Sequence, residues 1–104
     1  YLNIIIKIIM KTYPITKKVK QQAQLLALAG EPTRIRILCL LFENPEACVN
    51  EIADAVGCSI AATSHHLQAM KEHGLVTSER CGQTICYKFV PNAFAKKLKS
   101  IICE

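Results

Sequence analysis

Two short amphipathic segments separated by Gly57 constrain the fold of this 104-residue chain more than any other feature. They lie in the stretch NEIADAVGCSIAATSHHLQAMKEHGLV, residues 50–76. The first segment runs from about residue 49 to 56, where the glycine ends it. The second begins after Ser59, a residue type that caps helix N-termini, and ends at Gly74. Two helices joined by so short a turn predict a helix-turn-helix.

Helical periodicity continues on both sides of this pair. Residues 17–29 predict a first helix that stops at Gly30, and a second helix starts near Pro32, a residue that suits a first-turn position. The second helix is apolar nearly all round, which predicts a central place in the fold. The segment ENPEA, residues 43–47, predicts a turn before the third helix. A last helix opens at Asn92.

A β-hairpin is predicted between the fourth helix and the last one. In LVTSERCGQTICYKFV, two short β-prone runs flank Cys81-Gly82-Gln83, which is a turn signal. The predicted fold class is therefore mainly α with a small β-hairpin, in the form of five helices with the hairpin inserted before the last.

The length predicts one domain, formed by residues 17–104, with residues 1–16 as an N-terminal extension. The apolar start of the extension, YLNIIIKII, is too short to span a bilayer, which needs roughly 20 apolar residues. We expect residues 1–9 to be upstream read-through or a fragment edge, and so not native. The alternative is an extra apolar element that packs on a dimer partner.

Charge and cysteine content restrict the partners and the compartment. The net charge of +5 and the pI near 9.0 are compatible with a polyanionic partner. Six cysteines in a short secreted chain would indicate a disulfide framework, but no signal-peptide pattern and no Cys-x-x-Cys pair are visible. We therefore expect a cytoplasmic protein with free thiols and no membrane partner.

The fourth helix has two faces. The positions that recur at helical spacing and would hold it to the core are Ile60, Thr63, Leu67 and Met70. The outer stripe is small or hydrogen-bonding and consists of Ala61, His65, Gln68 and Glu72, with Ala62 and Ala69 beside it. Such a front edge suits close approach to base edges in the major groove of DNA. A polar face that is merely solvated is the alternative.

Three stretches resemble the ArsR/SmtB family of winged helix-turn-helix repressors over roughly residues 20–103. They are LALAGEPTRIRILCLL, CVNEIADAVGCSIAATSHHLQAMKEHGLV and GQTICYKFV. The strongest matches are Pro32-Thr33-Arg34 with Ile37-Leu38, Ser64-His65-His66-Leu67 with Gly74-Leu75-Val76, and Gly82 with Tyr87. The resemblance implies a winged helix-turn-helix fold and a homodimer joined through the first and last helices. It also implies a repressor that leaves a pseudo-palindromic double-stranded DNA operator in response to a small inorganic or redox signal.

Helical spacing and the resemblance together predict which residues contact DNA. These are Ala61, Ala62, Thr63, Ser64, His65, Gln68 and Lys71 in the fourth helix, and Arg80, Gln83 and Lys88 in the hairpin. The hairpin residues suit phosphate contacts beside the groove. The family usually has polar residues where the two alanines stand, so base contacts would rest on the threonine, serine, histidine and glutamine that follow.

The His65-His66 pair is not expected to hold a metal ion, because adjacent side chains on a helix point roughly 100° apart. His65 would face DNA, and His66 would pack or cap locally.

The metal-sensing spacings of the family are also incomplete. At the start of helix three, Cys48 is followed by Asn50 where a second thiolate would be needed, and the last helix has no Asp or His. Cys48 is therefore kept as an alternative metal ligand. In that alternative the inducer is a thiophilic metal ion or metalloid, and no resident cofactor is expected.

The redox- and persulfide-responsive branch of the family, the HlyU- or BigR-like branch, has one cysteine in helix two and one near the end of the last helix. Cys39 in ILCLL and Cys103 in IICE match both settings, so the resemblance implies that they are the sensor thiols. A buried inert Cys39 and a frayed inert Cys103 are the alternatives.

The remaining cysteines of the hairpin and turn are not expected to form a switch. Cys81 and Cys86 straddle the hairpin turn out of register, so we expect no bridge between them, and Cys58 is expected to be structural.

Three classes of function follow from these residues. A DNA-binding repressor released by thiol modification is favoured, with a metal-responsive repressor of the same family as its alternative. A thiol enzyme is disfavoured, because the chain lacks Cys-x-x-Cys, a Gly-rich phosphate loop and a nucleophile–base–acid set. A protein–protein adaptor that shares the helix-turn-helix shape is the third class.

Overall fold

The computed structural model describes residues 3–4 and 10–103. The expectation that residues 1–9 are not native falls almost entirely outside these residues and stays a prediction, as does the domain boundary after residue 16. In the described part, no helix combines the length and the apolar character needed to cross a membrane.

Residues 10–103 form five helices and three strands. In chain order these are α1 (Lys17–Ala29), α2 (Pro32–Glu43), β1 (Glu46–Cys48), α3 (Val49–Val56), α4 (Ile60–Glu72), β2 (Val76–Cys81), β3 (Thr84–Phe89) and α5 (Ala93–Ile102). The predicted fold class, a mainly α winged helix-turn-helix with five helices and a wing, is confirmed.

Local signals in the sequence set the facing ends of α3 and α4 as predicted. The Ser59 hydroxyl accepts a hydrogen bond from the backbone N–H of Ala62 at 3.1 Å and so caps α4. Gly57 ends α3 with φ of +68°, a left-handed conformation that glycine adopts without steric cost. The turn between α3 and α4 is therefore encoded by these two residues.

The core is centred on α2, as its apolar pattern predicts. Ile37, Leu38 and Leu41 of this helix are fully buried, and they share one cluster with Leu67 and Met70 of α4. Burial of each such aliphatic side chain contributes about 1.5–3 kcal/mol. The cluster therefore anchors the inner face of α4 and leaves its outer face free.

The prediction that Ile60 belongs to the core is wrong. Its side chain is 53% exposed, although its spacing matches that of the buried Leu67 and Met70. It is the first residue of α4 and follows the exposed Ser59, so it lies at the edge of the packed region. Periodicity identifies the side of a helix, but it does not show where along the helix the packing begins.

The sheet has the order β1-β3-β2, and both pairings are antiparallel. The predicted hairpin is present, with Cys81 opposite Thr84 across the turn at Gly82 and Gln83. The prediction that residues 43–47 form only a turn is wrong, because Glu46 and Ala47 belong to strand β1. Ala47 of β1 pairs with Tyr87, and both are buried, which explains why this short segment joins the sheet.

Candidate DNA-binding surface and cysteine pairs

The outer face of α4 presents most of the predicted base-contacting residues to solvent. The exposed members of the set on this helix are Ala61, Ala62, His65, Gln68 and Lys71. Ser64 is half-buried. Two small side chains at the front of the helix allow its backbone to approach a base edge closely, and the histidine and glutamine behind them supply hydrogen-bonding groups.

Thr63 is removed from this set. It is 0% exposed, and its hydroxyl oxygen has no hydrogen-bond partner among the described residues. The sequence predicts this residue both as a core position and as a base contact, and the structure supports only the first. Contact with DNA would require α4 to rotate about its axis and expose Leu67 and Met70, which would cost several kcal/mol of apolar burial.

The wing is attached directly to α4. The Lys71 ammonium group donates a hydrogen bond to the Ser78 hydroxyl of β2 at 2.6 Å. At the tip, Arg80 is exposed and its Nε lies 3.4 Å from the carbonyl oxygen of Gly82. Arg80 and the exposed Gln83 therefore stand at the end of the hairpin, where they can meet a phosphate backbone.

Lys88 lies away from this tip. It is four residues beyond Thr84 in β3, which is roughly 13 Å along a strand. Its ammonium group forms an ion pair with Glu46 of β1 at 3.7 Å. The structure thus brings two of the three predicted wing residues together and places the third beside β1.

The two adjacent histidines have different surroundings. The His66 ring accepts a hydrogen bond at Nδ1 from Arg34 Nε at 3.1 Å, and the carboxylate of Glu31 lies 3.9 Å away. The backbone N–H of Arg34 donates to Glu31, which lowers the pKa of that carboxyl below its ordinary value. His65 is exposed, and its ring centre is 6.3 Å from that of His66. His66 therefore packs locally on α2, as predicted, and sequence spacing alone did not identify Arg34 as its partner.

Cys39 and Cys103 are joined by a disulfide in the structure. Their Cα atoms are 6.0 Å apart, although 64 residues separate them in the sequence. Cys39 is half-buried in α2, and Cys103 is the C-cap of α5. The two residues that the family resemblance selects are thus in bonding range, within the 4.4–6.8 Å between Cα atoms that a disulfide requires.

A second group of cysteines lies on the sheet, and the sequence does not predict it. Cys48 of β1 faces Cys86 of β3, and their sulfur atoms are 2.7 Å apart. Hydrogen bonding to Cys48 and to Cys81, together with burial, raises the pKa of the Cys86 thiol above its ordinary value. The expectation that Cys81 and Cys86 are out of register is confirmed, since Cys86 pairs with Glu79. The group could have been predicted if residues 46–48 had been recognised as a strand that pairs with β3, because Cys48 then lies opposite Cys86.

A cleft of about 380 Å³ lies between α1 and α5 and is mostly apolar. It is lined by Gln22, Leu26, Phe94, Lys97, Leu98 and Ile101. Leu26 is 58% exposed and Ile101 72% exposed, and Val19 of α1 is also exposed. Exposed apolar side chains in one cleft, such as Leu26 and Ile101, are typical of an interaction surface.

Comparison with known proteins identifies the family to which this fold and surface belong. Residues 31–78 match the family described as bacterial regulatory protein, arsR family. The chain is 37% identical over 87 residues to the HTH-type transcriptional regulator YgaV of Escherichia coli strain K12, which covers 81% of this chain and 88% of YgaV. The chain belongs to the arsR family. It is a DNA-binding transcriptional regulator with a winged helix-turn-helix.

Solved structures agree with this assignment to the arsR family. HlyU from Vibrio cholerae N16961 is 28% identical with a TM-score of 0.74, covering 86% of this chain and 100% of HlyU. A structure of reduced HlyU gives a TM-score of 0.72. The antimony-specific transcriptional repressor AntR is 25% identical with a TM-score of 0.71, covering 91% of this chain and 86% of AntR. Because arsR-family proteins are transcriptional regulators, the family also supports the expectation that the chain is not an enzyme.

Proposed function

We propose that this arsR-family regulator is a homodimeric repressor that is released from its operator when Cys39 and Cys103 are oxidised to a disulfide or a longer sulfur bridge. The observation that carries this proposal is the pairing of these two cysteines, which links α2 at the centre of the fold to the end of α5. No resident cofactor is required. The operator is double-stranded and pseudo-palindromic.

The open apolar cleft supports the dimer. Leu26 and Ile101 lie at its rim on α1 and α5, and pairing of two chains through these helices would remove both side chains from water. In a twofold dimer the two α4 helices would contact half-sites one helical turn apart, about 34 Å. The angle between the subunits then sets the distance between the two recognition helices.

The bridge lies next to this proposed interface. Cys103 follows Ile102 and Ile101 at the end of α5, and the sulfur atom of Cys39 also lies 3.7 Å from the carbonyl oxygen of Ile102. Forming a disulfide removes two protons and two electrons from the thiols, and a peroxide that accepts them is reduced to water. A polysulfide would instead transfer zero-valent sulfur to the thiols to form a longer bridge, and the displaced sulfur leaves with the two thiol protons as hydrogen sulfide. Fixing the end of α5 to α2 shifts the relative angle of the subunits and lowers affinity for a rigid operator.

Serine substitutions test the switch directly. Reduced wild-type protein, Cys39→Ser and Cys103→Ser are each expected to bind the operator with similar affinity. Peroxide or polysulfide should weaken binding by wild type roughly 5–150-fold, the usual range of coupling between two sites, and should leave both variants unchanged. Cys58→Ser is the matched control and should respond like wild type, because Cys58 lies in the turn between α3 and α4, where its thiol approaches the carbonyl oxygen of Val56 at 3.8 Å. Equal operator affinity of oxidised and reduced wild type would exclude the switch.

Base contacts and phosphate contacts can be separated by mutation. His65→Ala and Gln68→Ala are each expected to reduce discrimination between operator and random DNA by about 1–3 kcal/mol. Arg80→Ala should weaken binding to both DNAs about equally and should lower the salt dependence by about one phosphate contact. Binding isotherms at several salt concentrations measure both effects. A flat salt response would instead support the protein–protein adaptor.

A thiophilic metal ion or metalloid is the alternative inducer. AntR, which shares the fold, is an antimony-specific repressor, and Cys48 of this chain has a second thiol in contact. In that case Cd(II) or As(III) would release the operator from the Cys39→Ser variant as well as from wild type.

A further inference from the structure

The sheet brings three cysteines from three different strands to one face. The pairing of β1 with β3 places Cys48 directly opposite Cys86. In the pairing of β2 with β3, Cys81 faces Thr84, which is two residues from Cys86. Side chains two residues apart on a strand share a face, so Cys81 is a diagonal neighbour of Cys86. Glu46 lies two residues from Cys48 on β1 and shares the same face.

The ligand atoms of this group are close together. The sulfur atoms of Cys48 and Cys86 are 2.7 Å apart. The sulfur atoms of Cys81 and Cys86 and a carboxylate oxygen of Glu46 all lie within 4.8 Å of one another. In a tetrahedral zinc site, with metal–sulfur bonds of about 2.3 Å, neighbouring sulfur atoms are roughly 3.8 Å apart, and the longer bonds of the larger Cd(II) ion require a slightly wider spacing. Cys48 contacts Cys86 but lies outside the set within 4.8 Å, so its side chain has to rotate toward Cys81 and Glu46 to complete a four-ligand site.

We propose that Cys48, Cys81 and Cys86 bind one thiophilic divalent cation, such as Cd(II), with Glu46 as its fourth ligand. Three thiolates and one carboxylate match the soft donor set and the coordination number that such d¹⁰ ions take in proteins. The sheet supplies the second and third thiolates that the spacing after Cys48 along α3 lacks. The site is separate from the Cys39–Cys103 pair and does not depend on the proposed redox switch.

The surroundings of the site permit an ion to enter and be retained. Cys86 is 5% exposed, whereas Cys48 and Cys81 are half-buried and Glu46 is exposed, so the group is open on the side of β1 and the wing turn. Glu46 is paired with Lys88 at 3.7 Å, and an exposed ion pair of this kind is worth at most about 1 kcal/mol. Each thiol loses its proton to solvent when it binds, so two positive charges meet three thiolates and a carboxylate.

Binding at this position would join the wing to the helix-turn-helix. Cys48 is the N-cap residue of α3, and its backbone N–H donates to Glu51 at 3.0 Å. Cys81 is the last residue of β2, next to the wing turn. One ion would therefore tie the start of α3 to the tip of the wing, two parts of the DNA-binding unit that are far apart in sequence.

Titration with Cd(II) tests the site in reduced protein that carries Cys39→Ser and Cys103→Ser. These two substitutions remove the proposed Cys39–Cys103 switch. Failure of the metal site is therefore seen independently of any failure of the switch. We expect one Cd(II) per chain, with the ultraviolet charge-transfer absorbance of three thiolates. Adding Cys81→Ser should lower the charge-transfer absorbance by one third, because one of three thiolates is lost. It should also weaken Cd(II) binding at least about tenfold, since losing even a residue that only supports a metal ligand typically costs that much affinity. Glu46→Gln should weaken Cd(II) binding and leave the absorbance unchanged.

Cys58→Ser in the same background is the matched control, and its Cd(II) affinity should be unchanged. Cys86→Ser is also expected to weaken binding, with circular dichroism to check that the substitution at this buried position leaves the fold intact. The proposal is overturned if Cys81→Ser and Glu46→Gln bind Cd(II) as tightly as the parent. It is also overturned if the only modification of this group is a Cys48–Cys86 disulfide that forms without metal.

Discussion

Replacement of Leu26 by aspartate is expected to convert the proposed dimer into a monomer and to lower operator affinity by roughly 10³-fold or more. Leu26 lies in the apolar cleft between α1 and α5 and is 58% exposed in the single chain, so the free protein tolerates a carboxylate there. In the dimer the carboxylate would be buried without a partner, at a cost of several kcal/mol. A monomer contacts one half-site only. Specific complexes have dissociation constants of about 10⁻⁸–10⁻¹¹ M, so loss of half of the contacts removes several kcal/mol.

Sedimentation velocity and operator titration measure the two parts of this prediction in the same samples. Gln24→Asp is the matched control, because it places the same charge on α1 at an exposed position beside Glu72 and His73, outside the apolar cleft. The control should sediment as a dimer and bind the operator. A dimeric Leu26→Asp protein would show that subunits pair through another surface.

Truncation of Leu38 to alanine should destabilise the protein by about 2–5 kcal/mol. Leu38 is fully buried at the centre of α2, and removal of its side chain loses apolar burial and leaves a cavity in a close-packed cluster. Ile60→Ala is the matched control. It also shortens an aliphatic side chain at a predicted core position, but Ile60 is 53% exposed, and we expect a change below about 1 kcal/mol.

Urea unfolding monitored by circular dichroism gives both free energies, at one protein concentration because dimer stability depends on it. Similar losses for the two variants would contradict the position of Ile60 at the edge of the core.

The helices and the hairpin were predictable because each has a local signal. Ser59 and Gly57 mark the turn of the helix-turn-helix, and the all-round apolar pattern of α2 indicates the centre of the fold. Thr63 shows the limit of such signals, since a small polar residue suits both a core position and a base contact. Only the packing of α4 against the core decides between these two roles.

The two cysteine groups differ in how far the sequence could identify them. Family resemblance points to Cys39 and Cys103, whereas periodicity alone treats Cys39 as one more apolar residue. The group on the sheet depends on β1, which has only three residues and is therefore too short to show an alternating pattern. Its pairing with β3 is a long-range contact that no local window contains.

The connection between α4 and the wing has a consequence for how such regulators diversify. Leu75 is buried between them, its N–H donates to the carbonyl of Met70 at 2.9 Å, and its own carbonyl accepts from Val90 at 3.0 Å. Together with the Lys71–Ser78 hydrogen bond, these contacts join α4 and the wing into one unit. In the proposed switch, a bridge at the end of α5 moves this unit as a whole and does not reshape it. For a signal received at α5, choice of operator and choice of signal would then be independent traits, and a descendant of this chain could exchange one while keeping the other.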